Sequence, residues 1–70
     1  MNRQKVNSTM FTSVGYDEKS QTLELEFSSG KIYQHSNVPI RVYTEFMNAP
    51  SLGKYYNQWI KGKYASFIIN

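Results

Sequence analysis

From Thr22 to Phe27 the chain alternates, with Leu23, Leu25 and Phe27 apolar and Thr22, Glu24 and Glu26 polar. Period two is the signature of a half-buried strand, because successive side chains point to opposite faces of a sheet. Upstream, "MFTSVGY" (10–16) is rich in aromatic and β-branched residues and predicts a second strand. Its inward face is ambiguous: Phe11 and Val14 lie three apart, and Gly15 is a candidate bulge. "DEKSQ" supplies the turn between them, and after "SSG" the segment "KIYQH" predicts a third strand. Residues 1–7 show no periodicity and are expected to be a flexible lead-in to a single domain over 8–70.

The period then changes. Ile40, Tyr43 and Met47, with Val42 and Phe46 beside them, keep helical spacing. Pro39 suits a first helical position, Ser36 or Asn37 can cap nearby, and Asn48-Ala49-Pro50 stops the helix. Ser51 caps a second helix on which Leu52, Tyr55, Tyr56, Trp59 and Ile60 fit an apolar stripe. That stripe assigns Trp59 and one of the tyrosines to the core. Gly62 is a natural C-terminal glycine, preceded by Lys61 where a cation suits the helix dipole. The tail "KYASFIIN" is apolar enough to pack back as a strand or extended segment. The fold class is α+β: a three-stranded antiparallel β-meander followed by two short helices packed on one face.

The second hairpin admits two registers. A two-residue "SG" loop pairs Phe27 with Ile32 and puts Tyr33 and His35 on the face of Glu24 and Glu26. A three-residue "SSG" loop with Gly30 left-handed sets Leu25 opposite Tyr33 and turns Tyr33 and His35 toward the core. Pattern favours the first, since Ile32 joins Leu25 and Phe27; turn chemistry favours the second. With the pattern given the greater weight, two carboxylates beside Tyr33 disfavour phosphate on the sheet and direct attention to the helices.

A chain of 70 residues buries only ~60% of the surface it exposes when unfolded, so its stability margin is thin. Without cysteine, disulfides and thiolate metal sites are excluded, and one histidine makes no metal centre. The four Phe, six Tyr and one Trp supply the core instead. No apolar run reaches signal-peptide or membrane-span length, so a cytoplasmic protein without membrane partners is expected. The net charge of +3 is unevenly spread. Asp17, Glu18, Glu24 and Glu26 lie early, while Lys54, Lys61 and Lys63 follow the last acid, Glu45. Such polarity suits a polyanion, although lysines on a small domain also serve plain solvation.

Catalytic chemistry has few candidates. His35 could pair with Glu24 only in one register, and a lone histidine without a formed pocket is ordinarily structural, so no enzyme, cofactor or metal is expected. An anion site is better supported. Ser51, Gly53 and Lys54 open the second helix, where free backbone N–H groups, a hydroxyl and an ammonium converge, although Ser51 as a plain cap and Lys54 as solvated surface explain both residues. It is not a P-loop, because Tyr55 follows the lysine. Arg41, Lys54, Lys61 and Lys63 supply charge, and Tyr55 or Tyr64 offers a ring for base stacking.

The motifs "VGYD", "TLELEF", "GKIYQH", "NVP", "VY" and "MNAPSLGKYYNQWIKGKY" occur in order from about Phe11 to Tyr64. In this the chain resembles the KTSC domain family, small domains found at the C-terminus of some lysyl-tRNA synthetases and alone in bacterial and phage proteins. Where the family pattern has Tyr-x-Tyr, this chain reads Tyr33-Gln34-His35. The resemblance implies the fold, and RNA binding has been suggested for the family. The expected function is a non-catalytic module for RNA or single-stranded nucleic acid. A homo-oligomer holding a nucleotide-type ligand between subunits, and a protein–protein adaptor using an exposed "FII" tail, are the alternatives.

Overall fold

One antiparallel sheet and one helical layer share the chain between them in the computed structural model, which describes residues 1–70. The strands are β1 (Arg3–Lys5), β2 (Phe11–Asp17), β3 (Thr22–Phe27), β4 (Ile32–His35) and β5 (Ser66–Ile68), ordered in space as in sequence. Between β4 and β5 lie α1 (Ile40–Asn48) and α2 (Leu52–Tyr55), and α2 runs on without a break into a π-helical turn, Tyr56–Ile60. The α+β class is as expected, but the sheet has five strands rather than three. No helix is long and apolar enough to cross a membrane.

The additional strands arise differently. β5 is the apolar tail, paired with β4 through Tyr33 opposite Ile68 and His35 opposite Ser66. β1 lies within the segment read as a loose lead-in. Backbone pairing needs no side-chain periodicity, so a polar Arg-Gln-Lys strand leaves no pattern to detect. What admits it is Gly15 on β2, opposite Arg3: a Cβ there would meet the Asn2 carbonyl oxygen at 2.8 Å.

The β3–β4 hairpin takes the three-residue loop, which corrects the register favoured by pattern. Phe27 donates its N–H to the Lys31 carbonyl at 2.8 Å, Gly30 has φ +96°, and Leu25 faces Tyr33. The decisive term is local. Ser-Gly is a poor two-residue turn, whereas a glycine at positive φ closes the longer loop at no steric cost. Ile32 is left on the outer face, where it is half-buried.

The inner face of the sheet carries the core. Phe11 and Val14 both point inward because a bulge follows Phe11, not because of Gly15. Phe11 gathers Phe27, Phe46 and Tyr56 at ring separations of 4.9, 5.7 and 5.3 Å. Phe11 and Phe46, both fully buried, each contribute about 1.5–3 kcal/mol. Pro39 precedes α1 as its cap residue rather than its first residue, and Ser51 caps α2 as expected, its Oγ accepting the Lys54 N–H at 3.2 Å. The stripe misplaces one residue. Trp59 is 54% exposed, whereas Tyr56 and Ile60 are buried. The π turn closes through Lys61 N–H to the Tyr56 carbonyl at 2.8 Å, five residues apart. It takes more residues per turn than an α-helix, so Tyr56 and Ile60 share the core face and Trp59 is rotated out.

Candidate nucleic-acid site

The three-residue hairpin loop reverses the electrostatics of the sheet. On the outer face it collects Glu24, Glu26 and Gln34, with Arg3 and Ser13 beside them. Arg3 is ion-paired to Glu24 and donates through Nε to Ser13 Oγ at 2.9 Å; Ser13 in turn donates to Glu26 at 2.7 Å. Gln34 donates to the other Glu24 oxygen at 2.8 Å. Burial would raise the Glu24 pKa, but hydrogen bonds from Gln34 and Arg3 and the guanidinium charge together hold it below its usual 4.5. These carboxylates are therefore spent within the fold, on the opposite side from Tyr33 and His35.

Facing the other way, Phe27, Tyr33 and Tyr56 wall a cleft of about 460 Å³ between the β4–β5 edge and the π turn. The Phe27 ring meets Tyr33 at 5.5 Å and Tyr56 at 5.7 Å, both edge to face. Lys31, Lys61, Asn57 and Ser66 add polar groups, and no carboxylate lines it. His35 also lines the cleft and is 2% exposed, with Nε2 3.3 Å from the Tyr56 hydroxyl. Its Nδ1 has no hydrogen-bond partner. Burial pulls the His35 pKa below its usual 6.5, only partly offset by the Tyr64 backbone. The imidazole is thus held neutral, with one donor and one acceptor nitrogen but no charge. Burial likewise raises the Tyr56 pKa, with Tyr33 adding to the effect, so its hydroxyl stays protonated. Glu24 and His35 lie on opposite faces, so the sequence-level pairing of the two does not form.

The predicted residues divide into groups. Tyr33, His35 and Lys61 meet in the aromatic cleft. Ser51, Gly53 and Lys54 line a second cleft at the start of α2. Gly53 packs against Met10, whose Cε would lie 3.3 Å from an added Cβ, and it keeps its place in the lining of this second cleft. Tyr55 is committed to α1: its hydroxyl donates to Glu45 at 2.8 Å, and desolvation together with Glu45 pushes its pKa up to about 12. Arg41 lies 3.8 Å from Glu45, and it lines none of the clefts; neither do Lys63 and Tyr64. Sequence reasoning missed Lys31, which follows Gly30 and shares the inward parity of Tyr33 and His35 once the loop has three residues. It also missed the exposure of Trp59.

The model of the KTSC domain matches residues 7–64. A lysine–tRNA ligase of Nostoc punctiforme is 40% identical over 60 residues, covering 86% of this chain but 11% of that protein. This chain thus spans about a tenth of the length of that ligase. An uncharacterised protein of Stutzerimonas stutzeri is 43% identical over 61 residues, with 87% of this chain and 86% of that protein covered. The crystal structure of a KTSC domain protein from Yersinia pestis superposes with a TM-score of 0.96 at 38% identity, covering 99% of this chain and 97% of that one.

Proposed function

The chain belongs to the KTSC domain family, and from that premise we propose that it is a non-catalytic binding module for single-stranded nucleic acid, RNA in particular. The observation that carries this reading is the aromatic cleft itself: rings on its walls, two lysines in its lining and every sheet carboxylate on the far side. A base enters beside Tyr33, whose ring is half-buried, while Lys31 and Lys61 hold the flanking phosphates. Fusion of similar domains to lysine–tRNA ligases, which act on RNA, supports RNA over DNA. The test is binding of a labelled single-stranded RNA followed by anisotropy, against a duplex of the same sequence. Tyr33→Ala and Lys61→Glu should each weaken the single-strand complex, the first by about 1–3 kcal/mol. Equal affinity of wild type and both variants overturns the assignment.

A second reading has its own observation. Phe67 and Ile68 on the edge strand β5, and Ile69 just after it, are all at least half exposed, and no charged side chain lies between Ala65 and Asn70. Such an edge can pair antiparallel with the same edge of a second copy about a two-fold axis. Light scattering of wild type and Ile68→Lys tests it: a homodimer that the substitution dissociates supports the pairing, and a wild-type monomer at high concentration ends it.

A further inference from the structure

The aromatic cleft is one end of a longer track. Met10 and Asn57 line both it and a second cleft of about 520 Å³ over the start of α2. Pro50, Ser51 and Lys54 line both that second cleft and a third, of about 300 Å³, beside Trp59. No carboxylate lines any of the three. Nearby Glu45 is engaged by the Tyr55 hydroxyl and lies beside Arg41. The remaining cleft, lined by Asp17, shares none of these residues. Lysines stand along the track, Lys31 and Lys61 at one end and Lys54 toward the other.

Trp59 occupies the far end. The residue is more than half exposed, and its position is set by the π turn that swings it away from the core. An α-helical continuation would place this large apolar side chain at the edge of the buried stripe, where burial would stabilise the fold. Single π turns of this kind recur at functional positions. We propose that Trp59 is a second stacking station for the same strand, so that the ligand is an extended single-stranded oligonucleotide bridging from the aromatic cleft, past Lys54, to the indole. This rests on the reading of the aromatic cleft as a nucleic-acid site. It narrows the ligand class: a mononucleotide fills only the first station, and a duplex, its bases already paired and stacked, fills neither.

Trp59 is the one tryptophan, so its fluorescence reports the second station directly. The experiment titrates the protein with uridine monophosphate and with oligouridylates of increasing length, reading indole fluorescence and, separately, anisotropy of an end-labelled oligomer. The longer oligomers should quench the indole and the mononucleotide should not. Trp59→Ala should weaken the oligomer complex by about 5- to 150-fold, the range for losing one stacked base. It should leave mononucleotide affinity unchanged, and Trp59→Phe should retain most of the binding. Because the side chain is exposed, circular dichroism should show the variants folded. If oligomers bind in a Tyr33- and Lys61-dependent way but neither quench the indole nor respond to Trp59→Ala, the second station is wrong and the first stands. If neither oligomer nor mononucleotide binds at low salt, both fall together.

Discussion

His35 and Glu24 show how two titratable groups on opposite faces of one sheet set its tolerance to acid. The imidazole is buried against the Tyr56 hydroxyl and its pKa lies below 6.5, chiefly through desolvation. The unfolded chain therefore takes up a proton before the folded one does, so stability is fully present above about pH 6.5 and declines as the pH falls toward the folded value. Glu24 is lowered for a different reason: its burial opposes ionisation, but Gln34 and Arg3 hydrogen-bond the carboxylate and outweigh it. Its contribution is intact above about pH 4.5 and is lost as the pH falls through the lower, folded value. Melting temperature against pH should thus fall in two steps. His35→Gln should abolish the first step and leave the second, while Glu24→Gln should do the reverse. A single acid transition, unchanged by His35→Gln, would contradict the assignment.

Strands and helices divide into those the sequence announces and those it conceals. β3 is plain from its alternation, and α1 and its proline stop are plain from spacing, because in both cases burial writes a period into the side chains. β1 is held by backbone pairing and a polar network, so its Arg-Gln-Lys sequence carries no period at all. The hairpin register lay between a pattern and a turn preference of comparable weight, and with it lay the aromatic cleft, since one residue of slip moves Tyr33, His35 and Lys31 between faces. The π turn is hidden more completely: "YYNQW" fits an α-helical stripe, and only the five-residue hydrogen bond from Lys61 N–H to the Tyr56 carbonyl reveals the wider winding. Two stability measurements follow from these elements. Ile60→Ala should cost about 2–5 kcal/mol in urea unfolding, whereas Trp59→Ala, one residue away, should stay within about 0.5 kcal/mol. Gly15→Ala should cost about 1–3 kcal/mol through overpacking, because its Cβ is driven into the Asn2 carbonyl. Hydrogen exchange in that variant should show Arg3–Lys5 released from the sheet.

Across the whole molecule, charge is sorted by face rather than by sequence position. Reading the chain end to end suggested an acidic front half and a basic rear, yet the fold places Arg3 among the acids and brings Lys31, from the acidic half, to the aromatic cleft with Lys61. The sheet's outer face consumes its carboxylates internally, leaving an acid-free track elsewhere with three lysines, Lys31, Lys54 and Lys61. A net charge of only +3 would give weak, diffuse attraction if spread evenly. Aligned along one path, the same three cations can each displace a counterion from a single strand. For single strands the slope of log affinity against log salt is about −0.7 per phosphate neutralised, so the full set should give a slope of about −2. Replacing any one of the three lysines by glutamine should reduce the slope's magnitude by about 0.7. Lys63→Gln, by contrast, should leave it nearly unchanged, because Lys63 lies outside all of the clefts. Anisotropy titrations across a range of potassium chloride concentrations separate the cases. A slope altered as much by Lys63→Gln as by Lys61→Gln would mean that the strand feels the overall charge of the domain and not a track across it.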